Sequence, residues 1–264
     1  MKNYLITIAL CVCSTIGYGQ VLLKPIPDKT VILTFDDGVS THATYVAPLL
    51  KKYNFDATFF VCEFPPDFED KKKYMSWEQI KELNEQGFEV ANHTWKHTHV
   101  NRMSPEECNK ELAYIEDKCE SLGIPTTNSF AYPAYDTDDY IIDLLKDRGY
   151  IFARVGGSRP YNPEVDHPYL IPSYSTTGTN KERVINAIKE AKDGKIVVLT
   201  IHGVPDYAHD WVTTPPELFE EYLKYLSEND YHVLALRDLQ EYIKVEYALQ
   251  NLIPDFSKNL KNSN

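Results

Sequence analysis

Positive charge is scarce in this chain of 264 residues. Lysine and arginine together number 27 against 39 aspartates and glutamates, which gives a formal net charge of −12 with neutral histidines. A strongly acidic protein is repelled by phosphate backbones and by anionic lipid surfaces. The charge balance therefore argues against nucleic acid or an anionic membrane surface as a partner.

Cysteine is also sparse, with five residues in the whole chain. Cys11 and Cys13 lie near the amino terminus, and the remaining three, Cys62, Cys108 and Cys119, cannot all pair internally because their number is odd. Cys108 and Cys119 fall on one predicted helix, about 16 Å apart by helix rise, which is too far for a disulfide. The sequence therefore shows no disulfide framework.

Gly/Ser linkers, low-complexity tracts and internal repeats are absent, and after residue 20 no apolar run is long enough to span a membrane. We therefore expect one domain over residues 20–264 without integral membrane association. Apolar strand patterns near residues 31, 57, 88, 128, 150, 196 and 232 alternate with helical patterns. This alternation predicts an α/β fold of parallel strands, either an open sheet or an incomplete or distorted barrel.

Residues 1–19 have the features of a cleaved signal peptide. A lysine at position 2 precedes an apolar stretch at residues 4–16, and a small-x-small cleavage site occupies residues 17–19. We expect export to the periplasm, the cell surface or the medium. A lipoprotein anchor at Cys11 or Cys13 is less favoured because the residues just before them are too large. A buried first strand or an uncleaved anchor is the remaining alternative.

Two adjacent carboxylates follow the first strand pattern, in the segment VILTFDDG at residues 31–38. Successive side chains of extended backbone point in opposite directions, so Asp36 and Asp37 can hold different roles. Adjacent aspartates before a glycine are also common in turns, so the pair alone is weak evidence for catalysis. Its position at a strand end is where parallel sheets and barrels carry their chemistry.

Histidines follow two further strand patterns. His93 and His97 come after the apolar segment at residues 88–91, and His202 comes after the apolar segment at residues 195–201. Histidines four residues apart present neighbouring imidazoles if the segment is helical, which suits a divalent metal such as zinc. With one aspartate they complete a three-ligand set that leaves a position for water. Polar groups at the ends of three strands predict a metal hydrolase site.

Several ordered motifs resemble the polysaccharide deacetylases of the NodB type, also called carbohydrate esterase family four. The segments TFDDG at residues 34–38, HTWKH at 93–97 and LTIH at 199–202 match the first, second and fifth motifs of that family. The resemblance runs from about residue 28 to about residue 245. It implies a distorted or incomplete (β/α) barrel of about seven parallel strands.

The resemblance also implies a reaction and roles for five side chains. The reaction is hydrolysis of acetyl groups on a carbohydrate, with N-acetyl preferred and O-acetyl possible. Asp36 is expected to be the general base and His202 the general acid. One divalent metal ion, with zinc favoured and cobalt or nickel as alternatives, is expected to be held by Asp37, His93 and His97.

The third and fourth motifs depart from the family pattern. Where the family has Arg-x-Pro-Tyr/Phe, residues 131–134 read AYPA and keep only the proline. The family's oxyanion donor is the main-chain N–H after that proline, so Ala134 can still supply it. The family's Asp-Trp pair has no counterpart in residues 152–158. Arg154 ends the neighbouring strand pattern, and we expect it to replace the missing arginine and hold Asp36; a surface arginine is the alternative.

Aromatic side chains on predicted loops suit stacking against sugar rings. The candidates for substrate binding, chosen because they neighbour motif residues, are Tyr135, Tyr207 and Trp211. Ile201 is a candidate to line a pocket for the acetyl methyl group, although a buried strand residue explains it equally well. Asp206 and Asp210 are weaker candidates for orienting His202.

Two other functions stay open at this stage. The missing arginine and fourth motif fit a sugar-binding pseudoenzyme of the same fold, although every metal ligand and both acid-base candidates are present. The family scaffold also hosts metal hydrolases of noncarbohydrate C–N bonds, such as those of cyclic imides or ureides. Export and loop aromatics favour a carbohydrate, and a neutral or cationic sugar polymer is not repelled by the acidic chain.

Overall fold

The computed structural model describes residues 21–125 and 128–259. The predicted signal peptide, residues 1–19, lies outside the described residues. Within them, eight strands pair in parallel. They are β1 (Thr30–Phe35), β2 (Thr58–Val61), β3 (Glu89–Asn92), β4 (Ser129–Ala131), β5 (Phe152–Gly157), β6 (Ile171–Ser175), β7 (Val197–Ile201) and β8 (His232–Leu234).

Seven of these strands close into a ring, in the order β1 to β7 and back to β1. β1 pairs with β7 along most of its length, from Val31 opposite Val197 to Phe35 opposite Ile201. The other edge of β1 is divided, because its first three residues pair with β8 and its last two with β2. The predicted distorted barrel of about seven parallel strands is therefore confirmed.

The sequence pattern anticipated every strand except β6. The segment IPSYS contains a proline and two serines, which do not make an apolar or alternating pattern. Four of its five residues are nevertheless buried, because β6 lies between β5 and β7 in the closed ring. Strand formation here depends on the neighbouring strands more than on local composition.

Seven α-helices lie in the described part of the chain: α1 (Ala47–Tyr53), α2 (Trp77–Glu85), α3 (Pro105–Ser121), α4 (Tyr140–Asp147), α5 (Lys181–Ile188), α6 (Pro216–Glu228) and α7 (Val245–Asn251). A π-helical turn, His42–Val46, precedes α1. Helix α3 begins with a capping box between Ser104 and Glu107. Among the helices so described, none is both long and apolar enough to cross a membrane.

Alternation along β1 separates two apolar layers. Val31, Leu33 and Phe35 belong to the core between the barrel and the helices, whereas Ile32 belongs to the core inside the barrel. Because all barrel strands run in parallel, their carboxyl ends open at a single rim. The segments that follow β1, β3, β4 and β7 therefore converge there.

Several other titratable side chains in the described part of the chain are buried. Cys62, Cys108 and Cys119 are buried thiols that form no disulfide, as the sequence predicts. His167, between β5 and β6, is 3% exposed, and its Nδ1 accepts a hydrogen bond from the Tyr169 main-chain N–H at 3.1 Å. Burial lowers the pKa of His167 to about 4, so its ring is neutral at pH 7.

We expect acidification to destabilise the protein through His167. Its folded-state pKa of about 4 lies below the ordinary value of 6.5, so the unfolded chain takes up the proton first. The contribution to stability is complete above the ordinary pKa and is lost as the pH falls toward the folded-state pKa, by up to about 1.4 kcal/mol per pH unit. His167→Asn keeps an acceptor for Tyr169 but does not titrate. In urea unfolding, the wild-type free energy should fall faster with acidification than that of His167→Asn; parallel curves would contradict this.

Candidate functional site

The rim at the carboxyl ends of the strands contains a cavity of about 440 Å³. Its walls come from segments that are far apart in sequence but adjacent around the ring. Eight of the residues predicted from the sequence line it: Asp36, Asp37, His93, His97, Ala134, Tyr135, His202 and Trp211. The barrel therefore brings the strand-end motifs to one place.

Asp37, His93 and His97 form a group with metal-ligand spacing. Nε2 of His93 and Nε2 of His97 each lie 3.4 Å from Oδ1 of Asp37, and within the described chain this buried oxygen has no hydrogen-bond partner. A tetrahedral ion with bonds of about 2.0–2.1 Å separates its ligands by about 3.4 Å. Nδ1 of His93 donates to the Ala131 carbonyl at 2.8 Å, which leaves the Nε2 lone pair free for an ion.

The charge states of this group also suit a cation. Burial alone would raise the pKa of Asp37, but His97 and His93 more than offset burial and hold it well below its ordinary value. Burial lowers the pKa of His97 to about 4. At neutral pH the group therefore offers an ionised carboxylate and an unprotonated imidazole, which are the forms that bind metals.

Left-handed backbone is concentrated at this rim. Asp37, Thr94, His97 and Ala134 have φ angles of 75°, 63°, 57° and 53°. Residues other than glycine rarely occupy this region, and each such residue costs on the order of 1–3 kcal/mol. The surrounding packing must therefore hold these positions, which fixes the ligand directions before any ion is bound.

A buried arginine holds Asp36. Arg154, on β5, has no exposed surface, and its Nη2 lies 2.6 and 2.5 Å from the two carboxylate oxygens of Asp36. The guanidinium carbon lies 5.3 Å from the ring centre of Phe60 and 5.4 Å from that of Tyr135. A charged donor in a desolvated setting fixes the orientation of the carboxylate. The contact expected from the sequence is present, and its effect on a reaction stays a prediction.

The sheet register explains how Arg154 reaches this place. Ala131 occupies the position of the arginine in the family that the sequence resembles. In the pairing of β4 with β5, Ala131 lies opposite Arg154. Residues level with each other on neighbouring strands point to the same face of a sheet. An arginine at position 154 therefore enters the barrel beside the point from which an arginine at position 131 would enter.

Tyr135 and Trp211 occupy the cavity in different ways. The ring of Tyr135 packs against the Arg154 guanidinium, and a Cβ added at Gly156 would lie 3.1 Å from that ring. Burial raises the pKa of Tyr135, whose hydroxyl interacts with Thr200. Tyr135 therefore supports Arg154 from inside the site, whereas Trp211 is 71% exposed at the cavity.

Two predicted substrate residues are not brought to the cavity. Ile201 packs in the core between the barrel and the helices, because its neighbour Thr200 takes the opposite direction and bonds to Ser173 on β6 at 2.7 Å. Tyr207 is 63% exposed and lies outside the residues that line the cavity. Alternation along β7 thus directs Ile201 away from any bound acetyl group.

His202 is placed mainly through its main chain. Nε2 of the buried His42 donates to the His202 carbonyl at 3.0 Å, and burial lowers the pKa of His42 to about 4. Nδ1 of His202 has no hydrogen-bond partner within the described chain. Asp206 accepts from the Gly203 N–H at 3.0 Å and so shapes the loop, while Asp210 is exposed. Neither aspartate bonds to the ring that it was expected to orient.

Among the lining residues that sequence reasoning missed, His209 and Phe64 contact the metal-capable side chains. Nδ1 of His209, on the loop after β7, lies 3.5 Å from Oδ2 of Asp37. Phe64 stacks on His97 with ring centres 4.7 Å apart. The available signal for His209 was a second histidine on the loop that follows His202. Phe64 gave no signal, because an aromatic residue after a strand is ordinary.

Comparison with known proteins shows what the chain resembles in sequence. The family model for polysaccharide deacetylase matches residues 24–153. Peptidoglycan-N-acetylmuramic acid deacetylase PdaC of Bacillus subtilis is 25% identical over 222 residues, which is 83% of this chain and 40% of that protein. Peptidoglycan-N-acetylglucosamine deacetylase of Bacillus cereus is 27% identical over 177 residues, which is 66% of this chain and 74% of that protein. The chain spans 37% to 43% of the length of three curated relatives, PdaC among them.

Solved structures share the barrel. The structure of PdaC matches with a TM-score of 0.54 and 22% identity, over 81% of this chain and 91% of that one. BA3943 of Bacillus anthracis, described as a CE4 family pseudoenzyme, matches with a TM-score of 0.58 and 17% identity, over 82% and 69% of the two chains. At these identities the likeness shows a common fold.

We expect the metal-free protein to bind one divalent cation at Asp37, His93 and His97. Calorimetric titration with Zn²⁺ should give a single site, and His97→Ala should weaken it by at least about 100-fold, because even partners outside the ligand set contribute about 10–100-fold. His99→Ala is the matched control, since His99 pairs with Asp136 at 2.7 Å, and it should bind like the wild type. Wild-type affinity in His97→Ala would contradict the assignment.

Proposed function

The chain belongs to the polysaccharide deacetylase family, and from this we propose that it is a metal-dependent hydrolase removing acetyl groups from a carbohydrate, N-acetyl in preference to O-acetyl. The observation that carries the proposal is the Asp36–Arg154 pair beside the group formed by Asp37, His93 and His97 in one cavity. A held carboxylate next to three metal-capable side chains is the arrangement that metal-assisted hydrolysis requires.

The cation position is assigned to Asp37, His93 and His97. Their nitrogen and oxygen donors, the 3.4 Å spacing and the unpartnered Asp37 oxygen support a divalent ion. Zinc is the preferred occupant, with cobalt and nickel as alternatives, because such donor sets select weakly among these ions. When bound, the ion supplies a water of lowered pKa and polarises the acetyl carbonyl.

Asp36 takes the proton from the water that attacks the acetyl carbon. Its contact with Arg154 keeps the carboxylate in one orientation during this transfer. The negative charge that develops on the acetyl oxygen is stabilised by the main-chain N–H of Ala134. The neighbouring N–H groups of Tyr135 and Asp136 are already bonded within the turn, at 3.0 and 3.2 Å, whereas Ala134 lines the cavity.

His202 completes the reaction by giving a proton to the departing group. An amine leaves an amide far less readily without protonation than an alcohol leaves an ester, so His202 matters most for N-acetyl substrates. His42 holds the main-chain carbonyl of His202, and the imidazole of His202 lines the cavity. This requirement supports the preference for N-acetyl over O-acetyl groups.

The class of substrate is inferred from the cavity and from the relatives. Trp211 is 71% exposed and borders the cavity, where an apolar ring face can stack on the C–H surface of a sugar. The two bacterial relatives described above are named for deacetylation of N-acetylated sugars of peptidoglycan. An N-acetylated amino sugar within a polymer is therefore the proposed substrate.

A sugar-binding pseudoenzyme is the second candidate, and Ala131 in place of the family arginine is the observation that favours it. The position of Arg154 weighs against it, because the guanidinium already contacts Asp36 from the neighbouring strand. The three metal-capable residues and His202 are also retained. The chain therefore keeps each group that the proposed reaction uses.

Acetate release tests the proposal. The zinc-loaded protein should release acetate from N-acetylated glycans such as peptidoglycan fragments or chitin oligomers. Asp36→Asn keeps the size of the side chain but cannot accept the proton, so kcat should fall by about 10²–10⁴-fold while zinc affinity is retained. O-acetylated xylan in the same panel separates the two acetyl classes.

Two outcomes would overturn the assignment. If a chain confirmed to hold zinc released no acetate from any glycan, a sugar-binding pseudoenzyme or a noncarbohydrate C–N substrate would replace it. Equal turnover by Asp36→Asn and the wild type would remove Asp36 as the base.

The role of Arg154 can be tested separately from metal binding. Arg154→Lys keeps a positive charge in the barrel but not the placement of the guanidinium, so we expect kcat to fall by at least about tenfold with zinc affinity unchanged. Arg154→Ala should lower kcat further and also destabilise the fold by about 3–5 kcal/mol, because it leaves a buried carboxylate unpaired. Thermal unfolding of each variant separates the two effects. Turnover at the wild-type rate in Arg154→Ala would show that Asp36 needs no such partner.

A further inference from the structure

One histidine at the cavity has no part in the proposed reaction. His209 lines the cavity, and its side chain is only 15% exposed. Its ring packs against Phe64 and Trp211, with centres 5.0 and 5.3 Å away. These contacts fix the plane of the imidazole, so the atoms that its two nitrogens face are well defined.

The loop that carries His209 is itself held in place. Both oxygens of Asp206 accept main-chain hydrogen bonds, from Gly203 at 3.0 Å, Ala208 at 2.8 Å and His209 at 2.7 Å. The main chain at Gly203 lies very close to that at Asp206, since a Cβ added at Gly203 would lie 2.3 Å from the Asp206 Cα. Asp206 therefore fixes the main chain at His209.

The two ring nitrogens of His209 face different partners. Nε2 lies 3.4 Å from the Tyr74 hydroxyl. Nδ1 lies 3.5 Å from Oδ2 of Asp37 and 3.9 Å from Oδ2 of Asp206, and within the described chain it forms no hydrogen bond. Burial raises the pKa of Tyr74, which keeps its hydroxyl protonated and able to donate. If Tyr74 donates to Nε2, the single proton of a neutral imidazole sits on Nδ1, the nitrogen on the side of Asp37.

We propose that His209 is a positioning residue for Asp37, whose Oδ2 it engages through Nδ1–H so that Oδ1 stays directed toward His93 and His97. Carboxylates that bind metals are usually hydrogen-bonded at the oxygen that does not face the ion, and losing that partner costs affinity. Tyr74 selects the required tautomer from the other side of the ring. The inference deepens the proposed function, since it rests on the cation position assigned there.

A second cation between Asp37, Asp206 and His209 is the competing explanation, because these side chains also have ligand spacing. The local charge weighs against it. The carboxylates of Asp36, Asp37 and Asp206 carry three negative charges, and Arg154 carries one positive charge. A single divalent ion at Asp37 already brings the sum to zero, so a second ion would leave an excess of buried positive charge.

Two conservative variants separate the nitrogens of His209. The amide nitrogen of asparagine occupies roughly the place of Nδ1, and that of glutamine roughly the place of Nε2. We expect His209→Gln to weaken Zn²⁺ binding by about 10–100-fold and His209→Asn to stay within about threefold of the wild type, measured by competition with a chelating dye. Tyr74→Phe removes the hydroxyl that selects the tautomer of His209 but keeps the imidazole. It should therefore lower Zn²⁺ affinity less than His209→Gln does. Thermal unfolding of the metal-free proteins controls for folding.

The outcomes are distinguishable from failure of the proposed function. Wild-type affinity in His209→Gln, or equal losses in the two variants, would overturn the positioning role. Two zinc ions per wild-type chain, of which one disappears in His209→Ala, would replace it by the second cation. If the wild type binds no divalent ion, the proposed function fails and takes this inference with it.

Discussion

The burial of two adjacent carboxylates is the constraint on which the rest of the site depends. Asp36 and Asp37 are 2% and 3% exposed, and an ionised carboxylate removed from water needs a compensating charge. Arg154 compensates Asp36, while Asp37 faces two imidazoles and the proposed cation position. The positive charge beside Asp36 belongs to the fold, whereas in the proposed function the positive charge beside Asp37 comes from a bound ion. This difference is what the proposed function uses when it assigns neighbouring residues of the same type to the roles of base and ligand.

The compensating charge for Asp36 depends on position in the barrel and not on position in the sequence. Ala131 and Arg154 are level with each other on β4 and β5, so a guanidinium carried by either strand enters the same region. Tyr135 lies against the guanidinium. It directly follows the segment AYPA, in which alanines occupy the arginine and aromatic positions of the family pattern. A sequence motif does not detect an arginine that lies on β5 in place of β4. The three-dimensional site still contains the contact between the guanidinium and Asp36.

The resemblance of the motifs predicted the barrel and the family. Sequence patterns predicted an α/β fold of parallel strands and the convergence of the strand-end motifs, because apolar strands and the direction of parallel strands decide these features. They did not predict β6, whose proline and serines are held in the ring by neighbouring strands. They also placed Ile201 at the substrate, although alternation from Thr200 turns it into the outer core. His209 escaped notice because its approach to Asp37 depends on the fold of a long loop, which follows from the hydrogen bonds of Asp206 and not from a local pattern.

The closure of the ring through β1 has a consequence for the order in which the protein assembles. β1 ends at Phe35, but its partners β7 and β8 are made only at Val197–Ile201 and His232–Leu234. Contacts between such distant segments are among the slowest to form, because a long loop must close first. Until then the strand that leads to the paired aspartates lacks its β7 partner, and His202 has not yet joined them. A growing chain therefore cannot bring Asp36, Asp37 and His202 together in one cavity until its last strands have been synthesised.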